Sequence, residues 1–429
     1  MKTSFKIILL LLLQFSYAQK SKNSYVIKNV NVIPMSSDKV LIHQNVFILD
    51  GKITRIVDIK KSFFSKKDII IIDGTGKFIV PSLSDARVHL PENDTEMDKC
   101  LKLYLINGVT KIRSMRGDDK QFAWKTQYNS PNSIFPKMYL SSVAITKKDN
   151  FTPETMVAFV KESKAKGYDF IKMLSIKDKP VFDALSKTAK EINFKIAGHF
   201  PSNVDDETIF ASNLNSIEHL GALMYEGPAK QKTGLETIIK QNIYNCPTFD
   251  WYAIMEDHFS FSDLNNRRGL QFVEKSTIEE WKKNYETEHN KIPENKKEQY
   301  KKQLSEDIAT RYSTLKTLSD NGAKLLIGPD SSADYCVYGF GVLEEMNHFK
   351  TAGISNFNII KAATSNFANY FNDKNFGTIE VGKNADFLIL NQNPIESLKA
   401  FEKVEAIFYN NNYIDSKKLK EISDSILAK

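Results

Sequence analysis

Apolar and polar positions along the chain alternate in two regimes. Residues 24–80 carry short β-branched runs, Val26 to Ile33, Val46 to Leu49, Ile53 to Val57 and Ile69 to Ile72, punctuated by the turn signals Asp50-Gly51 and Asp73-Gly74. Helical periodicity is missing there. From Pro81 onward, apolar runs of strand length alternate with amphipathic helical stretches. Strands are predicted in the segment entering Asp85–His89 and at Gly108–Met115, Lys137–Val143, Phe170–Leu174, Phe194–Gly198, Ser216–His219, Ile243–Pro247 and Ala323–Gly328. Between them lie helices such as Pro153 to Lys166, closed by Gly167, and Val181 to Ile192. Eight repeats of this alternation predict an α/β fold whose parallel sheet closes as a (β/α)8 TIM barrel.

The stretch 257–321 departs from this rhythm, being long and dense in Lys and Glu. Ser276 with Glu279 reads as a capping box, Pro293 interrupts, and Leu304, Ile308, Tyr312, Leu315 and Leu318 recur at helical spacing before Asn321-Gly322. One barrel helix preceded by an inserted helical segment is expected. Short β-runs return at Gly377 to Leu390 and Val404 to Tyr413. The expected organisation is a barrel over 81–374 and a small composite β-sandwich built from 19–80 and 375–429.

The first 18 residues read as a signal peptide. Lys2 and Lys6 precede the apolar run Ile7 to Leu13, and Ser16-Tyr17-Ala18 makes a small-residue exit, a pattern too short to span a bilayer. The mature protein is therefore expected to be exported, periplasmic or secreted, with no membrane span. Without those residues the net charge falls from +7 to +5, and Lys is interspersed with Glu and Asp throughout. That argues against a nucleic-acid partner. Cys100, Cys246 and Cys336 are too few and too scattered for a disulfide framework. Gly74-Thr75-Gly76-Lys77 lacks the spacing of a phosphate loop and reads as a hairpin turn.

Of seven His residues, three fall at the ends of predicted barrel strands: His89, His199 and His219. Lys172 lies within the fourth strand and Asp330 follows the eighth. In a barrel these ends converge on one mouth, where catalysis is housed. Two neutral imidazoles and an anionic oxygen can occupy three positions around Zn²⁺ and leave a fourth for water. His43, His258, His289 and His348 have no such placement and are expected at the surface or in packing.

Residues 45–57 (NVFILDGKITRIV), 79–90 (IVPSLSDARVHL) and 363–396 (ATSNFANYFNDKNFGTIEVGKNADFLILNQNPIE) occur in an order that resembles the metal-dependent amidohydrolases of the imidazolonepropionase and prolidase-like branch. The resemblance covers nearly all of the chain after residue 18. It implies a β-sandwich with a (β/α)8 barrel, one or two divalent metals at the mouth, and hydrolysis of amides, ureides, lactams or dipeptides. By position, Lys172 corresponds to the lysine that such enzymes carbamylate, and His199 and His219 to the ligands of the second metal. Asp330, in Gly328-Pro329-Asp330-Ser331, corresponds to the aspartate that deprotonates the attacking water.

The family's His-x-His is degraded here, because Asp85-Ala86-Arg87-Val88-His89 puts Arg87 at the first His. Pro81-Ser82 replaces the usual Pro-Gly, and Ser114 stands where relatives often have Asp. A guanidinium cannot ligate a cation and repels one. Two readings follow. In the first, Arg87 forks onto Asp330 or the carbamate, and a mononuclear centre of Lys172, His199 and His219 keeps hydrolysing C–N bonds, with one Zn²⁺ expected rather than two. In the second, Arg87 occupies Asp330 or Lys172 stays unmodified, and the chain is a pseudoenzyme or binding protein.

Relatives hold substrate carboxylates with Arg or Tyr near the mouth. Arg113, Arg116 and Tyr225 are the candidates here, with Arg87 beside them, for a small acylated amino acid or dipeptide. Trp281 and Tyr285 in the insertion are candidates for a lid. A second reading of that charged segment is a contact within a homo-oligomer.

Overall fold

The computed structural model describes residues 24–61, 69–224, 228–331 and 333–428. The signal-peptide reading therefore falls outside the described residues.

Both chain ends build one mixed sheet. Its strands are β1 (Ser24–Val32), β2 (Leu41–Leu49), β3 (Lys52–Asp58), β4 (Ile69–Asp73) and β5 (Phe78–Pro81) from the first part of the chain. The C-terminal strands β14 (Phe387–Leu390), β15 (Ala406–Tyr409) and β16 (Asn412–Asp415) complete it. The order is β16-β15-β14-β5-β1-β2-β3, with β4 pairing β1 in parallel. Asp50 and Gly51 both take positive φ, 49° and 73°, which matches the twist a two-residue hairpin needs between β2 and β3. The ladders join all eight strands in one branched sheet rather than the two facing sheets of the expected sandwich. Ile27, Val46, Phe387 and Phe408 belong to its separate apolar cluster. Gly74-Thr75-Gly76-Lys77 is a tight turn closed by Lys77 N–H donating to Gly74 O at 2.9 Å. It is not a hairpin, because β4 and β5 each run parallel to β1.

Every predicted barrel strand is present. The eight are β6 (Leu83–Val88), β7 (Val109–Ser114), β8 (Lys137–Leu140), β9 (Phe170–Met173), β10 (Lys195–Gly198), β11 (Leu214–Glu218), β12 (Tyr244–Cys246) and β13 (Lys324–Leu325). All pair in parallel, but the continuous ladders form a sheet β6-β7-β8 and a sheet β13-β12-β11-β10-β9 rather than one ring. Sparser contacts cross both seams. Asp169 N–H donates to Leu140 O at 2.8 Å and Ala86 N–H to Ile327 O at 2.8 Å, and Val88 bridges Ser331. The arrangement is TIM-barrel-like, with a separate β domain.

Helix ends follow local chemistry. Thr152 and Thr155 form a reciprocal capping box before Pro153–Lys166, and Gly167 ends that helix at φ 98°. In the insertion the helices are Phe261–Asn265, Lys275–His289 and Lys297–Asp320. Glu274, not Ser276, precedes the second of these, and no side chain caps it, so the predicted capping box does not form. Leu315 and Leu318 anchor the long third helix in the main core. No helix among the described residues is long and apolar enough to cross a membrane.

Candidate active site

The strand ends open into a cavity of about 640 Å³ lined by Arg87, His89, Arg116, His199, His219 and Asp330, with Glu218 at its floor and Trp251 on its wall. Lys172 lies fully buried beneath it, on the strand beside the one that leads to His199. Five of the predicted residues thus meet where the strand-end argument places them.

Backbone geometry around the mouth is tightly constrained. Gly198 at φ 148° leaves no room for a side chain, since a Cβ would lie 1.8 Å from Met173 O, and that close approach sets up His199 N–H to donate to the same oxygen at 2.9 Å. Gly328 similarly makes space for Arg87, whose N and Cβ would each be 2.8 Å from an added Cβ. His219, Thr248 and Asp330 all hold left-handed φ values, 62°, 56° and 65°. Strain of this kind, about 1–3 kcal/mol per residue, persists where surrounding packing enforces it and clusters at functional sites.

Arg87 dominates the electrostatics. Its Nε lies 2.8 Å from Asp330 Oδ2 and its Nη1 3.4 Å from Glu218 Oε2. His89 Nε2 approaches the other Asp330 oxygen at 3.0 Å, and His219 Nε2 lies 3.9 Å from Oδ2. Burial opposes ionisation of Asp330, but Arg87 and then His89 outweigh it and hold the carboxyl well below the usual range. Burial, with help from Lys172 and Arg87, pushes the His199 imidazole down to about 3. Burial and then Arg87 keep His219 neutral as well. Lys172 is driven well below its ordinary value by burial and then by Arg87.

Two orphaned atoms stand out. Lys172 Nζ and His199 Nε2 are buried with no hydrogen-bond partner among the described residues. Such groups normally find partners, so a buried amine and a buried imidazole nitrogen left open together point to something that binds them. His219 is placed differently. Its Nδ1 meets Thr248 Oγ1 at 2.6 Å; Thr248 gives its own hydrogen to Pro247 O at 2.7 Å, so the hydroxyl oxygen accepts from Nδ1–H and Nε2 is the unprotonated nitrogen. Its ring lies 4.9 Å from that of His199 and 5.0 Å from Trp251.

Arg113 is not a mouth residue. It is fully buried, donating Nη2–H to Glu218 Oε1 at 2.9 Å, Nη1–H to Ser216 Oγ at 3.3 Å and Nε–H to Ala86 O. The physical reason is Glu218, which points inward from β11 and requires a cation. Arg116 is exposed at the cavity rim. Tyr225 lies outside the described residues. Trp281 and Tyr285 do not reach the mouth; they pack with Tyr335 and Cys336 and line a separate cavity. His43 and His348 engage Asn29 and Tyr312 away from the mouth. Glu218, Thr248 and Trp251 were not foreseen as site residues. Only Glu218 had a signal, its place beside His219 and two residues from Ser216 on one strand face.

The sequence model of the Amidohydrolase family matches residues 78–415. No curated protein is similar enough in sequence to count as a relative. Among solved structures, this chain is similar to a Xaa-Pro dipeptidase with bound methionine in the active site, with TM-score 0.68 and 18% identity over 92% of this chain and 100% of the other. It is also similar to AH, the bottromycin amidohydrolase, with TM-score 0.73 and 17% identity over 94% and 91%. A third similar structure is A. niger ochratoxinase, with TM-score 0.67 and 14% identity over 92% and 96%. At these identities the likeness speaks for the fold.

Proposed function

Because this chain belongs to the amidohydrolase family, we propose that it hydrolyses C–N bonds of small amide or dipeptide-like substrates with one divalent cation, Zn²⁺ by ligand type, at the mouth of a closed (β/α)8 barrel. The observation that carries this reading is the pair of unpartnered buried atoms, Lys172 Nζ and His199 Nε2, beside a second neutral imidazole. Among the described residues no three His, Cys, Asp or Glu side chains make a ready cation site. A carbamate on Lys172 supplies the missing oxygen. Its formation requires an unprotonated amine, which the depressed Lys172 provides. Lys172, His199 and His219 would then hold the cation, which when bound polarises a carbonyl and acidifies water.

The chain's own groups do the rest. Asp330 is the carboxylate nearest the imidazoles and takes the proton of the attacking water, passing it to the leaving amine. The Arg87 contact that fixes Asp330 also weakens it as a base, so a slow hydrolase is expected. Arg116 at the rim suits a substrate carboxylate. Trp251 and Phe200 give the cavity apolar walls. On the N-terminal pattern, this chemistry takes place outside the cytoplasm.

The 2.8 Å Arg87–Asp330 pair favours one competing reading, a binding protein that has lost hydrolysis. Metal analysis after incubation with Zn²⁺ and bicarbonate, together with a screen of N-acyl amino acids and dipeptides, separates the two. About one equivalent of metal with measurable turnover supports the hydrolase; no bound metal and no turnover leaves the binding protein.

A further inference from the structure

We infer that the helical insertion carries a second binding site, for an organic cation with an alkyl stem, in the cavity of about 420 Å³ walled by Trp281, Tyr285, Tyr300 and Tyr335. The volume is that of a small-molecule site. Three features point to a cation. Aromatic side chains supply the wall, Trp281 and Tyr335 packing against each other with rings 5.2 Å apart at 53°. Carboxylates edge it: Glu256, Glu288 and Asp334. Lys291 is the single cation among the described residues lining it, and its Nζ is already engaged by Glu288 Oε1 at 2.5 Å.

An independent observation concerns Tyr335. Tyr335 is 1% exposed, and its hydroxyl has no hydrogen-bond partner among the described residues although the ring forms part of the cavity wall. A buried phenol usually finds a partner. Tyr335 also holds φ 59°, a conformation that an aromatic residue keeps only when its surroundings enforce it. A primary ammonium matches this setting: its N–H groups reach the phenol oxygen and Asp334, while the attached methylenes pack on Trp281. The same chemistry is presented by a free polyamine and by a lysine side chain of a peptide.

The site lies apart from the mouth, yet on the same loop, since Asp330 and Ala333 line one cavity and Asp334 and Tyr335 the other. It therefore stands or falls independently of the hydrolase reading.

Calorimetry on the full chain tests it with 1,6-diaminohexane, its neutral counterpart 1,6-hexanediol, and Nα-acetyl-lysine methylamide. Expected are binding of the diamine in the millimolar range or tighter, no detectable binding of the diol, and weakening of about tenfold in Trp281→Ala with recovery in Trp281→Phe. Asp334→Asn, which retains an acceptor for Asn284 Nδ2, is expected to weaken the diamine about threefold to tenfold. Stronger binding of the lysine derivative than of the diamine identifies a peptide side chain as the occupant; the reverse identifies a free amine. Failure of both cations to bind, equal binding of the diol, or unchanged affinity in folded Trp281→Ala and Asp334→Asn overturns the site.

Discussion

Arg87 Nε stands 2.8 Å from Asp330 Oδ2, setting a fixed positive charge against the carboxylate at the strand-end mouth. The contact neutralises a carboxylate that would otherwise help hold a cation, and His89 Nε2 approaches the other oxygen of the same carboxylate at 3.0 Å.

Arg87→His puts an imidazole in place of the guanidinium and tests the proposed metal site. The variant is expected to bind a second equivalent of Zn²⁺ and to raise turnover about 10- to 100-fold, the range over which first-site ligation and its supports usually act. Metal content and steady-state rates measured on the same preparation check this. Loss of turnover would instead show that Arg87 has been recruited as a working residue.

Lys172→Met separates chemistry from stability. The amine is fully buried and unpartnered, so replacing it with an apolar chain of similar length removes a desolvation cost without breaking a bond. The expected result is an unchanged or higher Tm together with loss of metal and of turnover by about 100-fold or more. A large drop in Tm would mean that the amine has a structural partner.

How much of this was legible in the chain depends on the range of the interactions concerned. Strands such as Phe170–Met173 and helix ends such as Gly167 declare themselves because their signals are local. His89, His199, His219 and Asp330 could be grouped because strand ends in a barrel converge, which turns sequence order into proximity. Arg113 could not be placed, since its partner Glu218 lies 105 residues away and decides that it faces inward. Trp281 was misassigned for a related reason. An amphipathic helix announces an apolar face but not which cavity that face covers, and here the partner is Tyr335.

Asp85 should leave a pH signature in stability. It accepts Arg87 N–H at 2.8 Å and Tyr104 O–H at 2.7 Å, yet complete burial raises its carboxyl to about 7. Below about pH 4 the group is protonated in both folded and unfolded chains, and its contribution is fully present. Between about 4 and 7 the unfolded chain ionises first, so the contribution, of order 2–4 kcal/mol, is lost as pH rises through the folded value. Asp85→Asn cannot titrate. The stability difference between parent and variant is expected to shift in the variant's favour over that interval in chemical denaturation; a difference independent of pH would refute the assignment.

Glu218→Gln tests the charge cluster under the mouth. Burial resists ionisation of Glu218, but Arg113 at 2.9 Å and Arg87 at 3.4 Å overcome it and hold the carboxyl below its ordinary range, while Ser216 donates its hydroxyl at 2.7 Å. Glutamine keeps the shape but leaves the buried Arg113 guanidinium facing a neutral amide, while Arg87 retains Asp330 as its counter-ion. Breaking one side of such a buried pair costs about 3–5 kcal/mol, because the surviving charge stays desolvated and uncompensated. Adding Arg113→Met removes the stranded cation and is expected to recover about half of the loss. Urea denaturation of the single and double variants reads both effects. A single-variant loss below about 1 kcal/mol would mean that water reaches the cluster and that Glu218 is not the counter-ion that keeps Arg87 and Arg113 in place.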